Sequence, residues 1–250
     1  MDLSALWRIR QDTLWGRAVR WPLKRLSPDA EVRVLQGPAR GMRWIAGSGP
    51  HMYWLGSYEV TKVKAFVRHL TQAAVVFDIG AQAGYYSLVA ARKVGPMGKV
   101  VAFEPLPLNL SYLRRNVEIN RLTNVAVIEG AVADTDGNAF FESGDPSTGH
   151  LSDHGLSVRT VSLDAAIARR ELPVPSIIKI DVEGGELSVL RGAKRLLQES
   201  HPALFLATHG DDVHRACLAV LRNHGYRIHL LAEDEVMAAY DQPHAAIPAR

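Results

Sequence analysis

The chain has 250 residues, a formal net charge of +3, 47% hydrophobic and 22% charged residues, and one cysteine. With no low-complexity tract, these proportions fit one soluble α/β domain with a short extension, and the lone Cys217 excludes an internal disulfide or a thiolate metal site. No apolar run reaches the roughly 18 residues that span a bilayer, and residues 1–20 lack the unbroken apolar stretch of a signal peptide, so the expected location is the cytoplasm.

Residues 1–21 place Leu3, Leu6, Trp7, Ile9, Leu14, Trp15, Ala18 and Val19 at helical spacing among Arg8, Arg10, Arg17 and Arg20. This pattern predicts a basic amphipathic helix that either lies on the core as a lid or docks peripherally on a membrane, a partner or a second copy. Residues 30–60 are broken by Gly37, Gly41, Gly47 and Gly49 and predict a small strand-and-turn collar. The expected division is residues 1–60 for helix and collar, and 61–250 for the main domain.

Strands are predicted over 74–79, 99–104, 125–129, 176–181, 203–208 and 226–231, and helices over 85–94, 108–120, 186–199 and 212–223. Such alternation signals βαβ units and a doubly wound, mostly parallel sheet of Rossmann-like type. Residues 134–162, with Gly137, Gly144, Gly149 and Gly155, interrupt it and predict a loop or hairpin insertion placed to cover a substrate.

The strand at 74–79 runs into Gly80-Ala-Gln-Ala-Gly84 and then a helix, an arrangement in which nucleotides bind at the carboxyl edge of a parallel sheet. Glu104 ends the next strand and is placed to hold ribose hydroxyls. A dinucleotide turn follows G-x-G-x-x-G, whereas this one is D-x-G-x-x-x-G with Asp78 leading. An acidic strand end repels a pyrophosphate but favours the sulfonium and ammonium groups of S-adenosylmethionine (SAM).

Three blocks, VFDIGAQAGYYS at 76–87, KVVAFEP at 99–105 and IKIDVEGGEL at 178–187, with Tyr58 and Glu59 upstream, resemble the FkbM family of class I methyltransferases. The resemblance covers roughly residues 50–210, and the third block is its specific part. It implies SAM as cofactor, S-adenosylhomocysteine as product, and O-methylation of a small-molecule, sugar or lipid-linked hydroxyl. By position it implies Glu59, Asp78, Gly80 and Gly84 in the cofactor site, the last three at the methionine end of SAM. Glu104 then falls at the ribose, Gly130 and Ala131 at the adenine, and Asp181 and Glu183 at the methyl. Members often carry Glu two residues before the His that follows the fifth strand, and here Ala207 precedes Thr208 and His209.

Methyl transfer to an alcohol needs alignment and removal of a proton. His209 is the preferred base, because an unperturbed imidazole titrates nearest neutral pH. Asp181 beside Glu183 needs a ligand, a cation or Lys179 to offset like-charge repulsion. An alternative sets Asp181, Asp211 and Asp212 around Mg2+, although Asp211 and Asp212 equally serve as helix caps or dipole partners. His150 and His154 have a metal-like spacing without an evident third ligand. Tyr53, Trp54 and Tyr58 form either a stacking floor or core.

A nucleic-acid base methyltransferase is expected to end its fourth strand with Asn or Asp, two prolines and an aromatic. Here DVEG stands instead and no basic stripe follows residue 21, so nucleic acid is not the expected acceptor. The different-class alternative is a non-catalytic SAM- or nucleotide-binding module docked through the N-terminal helix. The acceptor itself is not fixed by fold and cofactor site.

Overall fold

A computed structural model describes residues 26–142, 150–152, 154–232 and 234–240. The expected helix at 1–21 lies outside them. The collar consists of β1 (Glu31–Arg33) and β2 (Arg43–Ile45), paired antiparallel, then α1 (Met52–Leu55) and α2 (Val60–His69).

The main sheet contains β3 (Val75–Ile79), β4 (Lys99–Glu104), β5 (Val125–Glu129), β10 (Ile177–Ile180), β11 (Ala203–Ala207), β12 (Tyr226–Ala232) and β13 (Glu235–Tyr240). Its order is β12-β13-β11-β10-β3-β4-β5, with β13 alone running against the others. Helices α3 (Tyr85–Val94), α4 (Pro107–Ile119), α5 (Leu163–Ala168), α6 (Glu186–Arg191), α7 (Lys194–Glu199) and α8 (Asp211–Asn223) complete an α/β architecture of the doubly wound kind. Among the described residues no helix is long and apolar enough to cross a membrane.

β3 reads VVFDI because both of its faces are covered, as parallel strands require. Phe77 and Ile79 pack with Phe103, Ile178 and Ile180 on one side, while Val76 packs with Val100, Ile177 and Phe205 on the other. Each fully buried Phe or Ile of this set contributes about 1.5–3 kcal/mol. The strand order reverses between β3 and β10, so the loops leaving their carboxyl ends diverge and open a crevice there.

Three features differ from the sequence reading. Four strands, β6 (Ala131–Val132), β7 (Gly137–Glu142), β8 (His150–Ser152) and β9 (Leu156–Val161), form a second sheet in the order β6-β9-β7-β8 where a loop or hairpin was expected. The helix expected over 186–199 breaks at Gly192, where a β-carbon would lie 2.0 Å from the carbonyl oxygen of Ala133. β13, absent from the expected strands, pairs along the full length of β12 and separates it from β11.

The collar is fastened to α4 by two asparagines. Asn116, fully buried, accepts the Ile45 N–H at 2.9 Å and donates to the Ala83 carbonyl at 2.9 Å and to Ser48 Oγ at 3.1 Å. Asn120 accepts the Arg43 N–H at 2.8 Å and donates to the Arg43 carbonyl at 2.7 Å.

Candidate active site

Gly80 opens the turn after β3 at φ +77°, and a β-carbon there would lie 1.9 Å from the Asp181 carbonyl oxygen. Only glycine lets the ends of β3 and β10 close to this distance. Gly84, at φ +93°, caps α3, and its β-carbon would meet Leu113 Cδ1 at 2.5 Å. Gly80 and Ala81 donate N–H to the Phe103 carbonyl at 3.1 and 2.9 Å, which ties the turn to β4.

Glu104, 4% exposed at the end of β4, accepts the N–H of Gln82 at 2.8 Å, the N–H of Leu106 at 3.0 Å and the Asn109 amide at 3.2 Å. Burial raises its pKa above the ordinary carboxylate value, against the pull of those donors and of Lys179. Its position is therefore over-determined before any ligand arrives. Gly130 and Ala131, at the end of β5 and the start of β6, border the same cavity.

Asp78 was expected at the methionine end of SAM, but its side chain does not border the cavity. The pleat turns it to the face opposite Phe77 and Ile79, where it is fully buried and accepts the Ser87 hydroxyl at 2.6 Å. Opposite it in register stands Lys179, whose Nζ lies 3.4 Å from Asp78 Oδ1 and 3.6 Å from Asp181 Oδ2. Lys179 also donates to the Gly80 carbonyl at 2.9 Å and sits 5.2 Å over the Tyr86 ring. Burial opposes its charge, but Asp78, Asp181 and Glu59 outweigh burial and raise its pKa. Asp78 thus reaches the cavity through Lys179 and Gly80.

Glu59 also stands off the main cavity. At φ +41° it accepts the Tyr86 hydroxyl at 2.8 Å and Lys62 Nζ at 3.3 Å, beside a small second cavity of about 20 Å³ that Lys179 and Asp181 also border. Ala207 pairs in register with Glu235, whose carboxylate bonds Lys62.

Asp181, Glu183 and His209 come together as the sequence suggested. His209 Nε2 lies 3.7 Å from Asp181 Oδ1 and 3.5 Å from Glu183 Oε2. Its Nδ1 lies 2.7 Å from Oε1 of Glu186, a fully buried carboxylate that also accepts the Gly184 N–H at 3.1 Å. That hydrogen bond, outweighing partial burial and aided by Glu183 and Asp181, pushes the His209 pKa up to about 9. His209 is therefore a cation at neutral pH, not the mostly neutral base that an unperturbed imidazole would be.

The cavity holds about 230 Å³ and runs from Glu104 and Gly130 past Gly80 to Asp181 and Glu183. Tyr53, Tyr58 and Tyr85 wall it on the collar side and Phe141 of β7 on the other. The tyrosine rings are tilted against one another, with centroids 4.3 Å apart for Tyr53 and Tyr58 and 5.3 Å apart for Tyr53 and Tyr85. Burial pushes Tyr53 and Tyr85 up to about 12 and raises Tyr58 and Tyr86 as well, so their hydroxyls stay protonated. Trp54 packs with the collar core.

The set Asp181, Asp211 and Asp212 is not assembled. Asp211 and Asp212 occupy the first turn of α8, where Asp212 pairs with Arg215. The three groups that do meet, Asp181, Glu183 and His209, place one ligand atom each within 4.8 Å of one another, and Lys179 and cationic His209 already supply their countercharge. His154 pairs with Glu142 at 3.3 Å, and Asp153 lies outside the described residues. Gln82, Asn109 and Glu186 were not singled out from sequence. Glu186 stands in a helix first turn, where an acid reads as a dipole partner, and its bond to His209 spans 23 residues.

The methyltransferase FkbM domain matches residues 78–228. Hexuronic acid methyltransferase AglP of Haloferax volcanii is 28% identical over 140 residues, which are 54% of this chain and 56% of that protein. The 31-O-demethyl-FK506 methyltransferase FkbM of Streptomyces tacrolimicus is 27% identical over 233 residues, covering 74% of this chain and 85% of its own. This chain thus spans little more than half of the first relative and most of the second. A solved structure, precorrin-6y C5,15-methyltransferase from Geobacter metallireducens, aligns with a TM-score of 0.50 at 20% identity over 73% of this chain and 89% of that one, a likeness of fold alone. With the domain match extending over more than half of its residues, the chain belongs to the FkbM methyltransferase family.

Proposed function

We propose that the protein is a SAM-dependent O-methyltransferase acting on a hydroxyl of a small-molecule or carbohydrate acceptor, free or lipid-linked. The observation that carries this reading is one cavity at the strand-order reversal, with Gly80 and Glu104 on one side and Asp181 and Glu183, backed by His209, on the other.

The residues suit SAM by their chemistry. Glu104 is a buried carboxylate whose place is fixed by three N–H donors, which leaves its remaining acceptor capacity for a ribose diol. Gly130 and Ala131 supply a small-residue edge for the adenine. Asp181 and Glu183 set two carboxylates at the other end of the cavity from Glu104. When bound, SAM supplies a methyl group on a positively charged sulfur, a leaving group that needs no acid.

The chain's own groups then have two tasks. The tyrosine wall and Phe141 exclude water and orient an acceptor ring by stacking, while Tyr53 already donates its hydroxyl to Gln82 Oε1. In its neutral form, the minor one below about pH 9, His209 Nε2 receives the acceptor's hydroxyl proton, and Asp181 and Glu183 stabilise the imidazolium that forms.

The test is transfer from methyl-labelled SAM to a panel of hydroxylated sugars and polyketides, read by mass spectrometry. An alkali-stable methyl ether supports the reading, with turnover lowered roughly 10²- to 10⁴-fold in His209→Ala while SAM still binds. An alkali-labile ester would mark a carboxylate acceptor. SAM binding without turnover on any acceptor would favour the non-catalytic module.

A further inference from the structure

Glu186 borders neither the cavity nor the second, smaller one. It is fully buried at the first position of α6, and its Oε2 has no hydrogen-bond partner among the described residues. An isolated carboxylate in such a place is costly unless it is paired. Its Oε1 bonds the Gly184 N–H at 3.1 Å and His209 Nδ1 at 2.7 Å.

Because the Gly184 amide is a donor, Oε1 is an acceptor there, and a carboxylate accepting at 2.7 Å fixes the His209 proton on Nδ1. The ring is thereby held with Nε2 toward Asp181 and Glu183. The left-handed conformations of Glu183, φ +53°, and Gly184, φ +98°, bend the loop so that Glu183 faces Nε2 while the Gly184 amide turns back to Glu186.

We infer that Glu186 is the positioning residue of the site: it holds His209 as the Nδ1–H tautomer, leaves Nε2 to take the acceptor proton, and sets the basicity of that nitrogen. The inference rests on the proposed role of His209 in methyl transfer. In the step, the acceptor O–H bond breaks, its proton goes to Nε2 and the Nδ1 proton stays on Nδ1, hydrogen-bonded to Glu186, so no proton passes to the buried carboxylate.

The groups facing His209 are Asp181 and Glu183 from the loop after β10 and Glu186 from α6, with Lys179 behind Asp181. On the α8 side buried Cys217 faces Glu186, and burial followed by Glu186 pushes its pKa up to about 12, so it stays neutral. No other titrating group competes for the Glu186 carboxylate in this arrangement among the described residues.

The experiment is nitrogen-15 NMR of histidine-labelled protein across pH 5–10, with His209→Gln to assign the signal, on wild type and Glu186→Gln. Wild type is expected to titrate near 9 and, above that, to carry its proton on Nδ1. In Glu186→Gln the midpoint is expected to fall toward the ordinary value of about 6.5, and the inflection of kcat/KM against pH to fall with it, while the Kd for SAM stays within about twofold. A neutral ring protonated on Nε2, an unmoved midpoint, or an unmoved rate inflection would each overturn the inference. The wild-type tautomer decides the point even if Glu186→Gln does not fold. Absence of turnover on every acceptor would instead overturn the methyl-transfer reading, and the NMR would still decide whether Glu186 holds His209.

Discussion

The backbone N–H of Gln82 donates to the Glu104 carboxylate at 2.8 Å, so the glycine turn after β3 and the acid that ends β4 form one unit. The other side of the turn is held by the close approach of Gly80 to the Asp181 carbonyl. Three strand ends are thereby locked together, and a change at the turn reaches both sides of the cavity.

Gly80→Ala is expected to damage this unit more than Gly84→Ala. Both positions have positive φ, which costs a β-carbon about 1–2 kcal/mol. At Gly80 the new atom meets backbone at 1.9 Å, whereas at Gly84 it meets the end of the Leu113 side chain at 2.5 Å, which has room to rotate. The prediction is a loss in Gly80→Ala of at least about 3 kcal/mol, with SAM binding abolished, and a smaller loss in Gly84→Ala. Thermal unfolding with and without SAM checks it.

Asn116→Ala is expected to loosen the collar that carries the tyrosine wall. It leaves the Ile45 N–H and the Ala83 carbonyl without their partner in a buried site. Two such groups cost about 2–4 kcal/mol together. The urea midpoint of the variant reports this directly, and an unchanged midpoint would contradict the fastening role.

The pH dependence follows from the raised pKa of His209. The folded protein holds this proton up to about 9, whereas an unfolded chain releases it near the ordinary imidazole value of about 6.5. The stabilisation is therefore fully present below about 6.5 and is lost as pH rises through about 9. Activity runs the other way. The neutral base grows with pH, so kcat/KM is expected to rise until a plateau above about 9. A profile already flat at pH 7 would show that His209 is not the proton acceptor.

A chelator is expected to leave turnover unchanged, because Lys179 and cationic His209 already offset Asp181 and Glu183. Loss of activity in EDTA, restored by one divalent cation, would contradict this.

Much of the sheet was legible from sequence because its information is local. Buried parallel strands such as β3 and β4 are short apolar runs, and α3 and α8 have clear starts and stops. β13 was not legible, since its place between β11 and β12 is set by pairings distant in sequence. The break at Gly192 depends on the approach of Ala133, some sixty residues earlier. In the site, Glu104, Gly80, Asp181, Glu183 and His209 were legible because strand ends and glycine turns mark the crevice. The pairing of Asp78 with Lys179 and of Glu59 with Tyr86 was not, because these partners are distant in sequence. Glu186 was hidden for the same reason, as its partner lies beyond another strand.

The central claim is that the crevice between β3 and β10 binds SAM with Glu104 on the ribose, and calorimetric titration tests it most directly. Wild type, titrated with SAM, S-adenosylhomocysteine and NAD, is expected to bind the first two and not the third. Glu104→Gln, which keeps the shape but removes the charge, is expected to lose about 1.5–3 kcal/mol, or roughly 10- to 150-fold in Kd, for both. No binding of either SAM species, or tight binding of NAD in their place, would contradict the account.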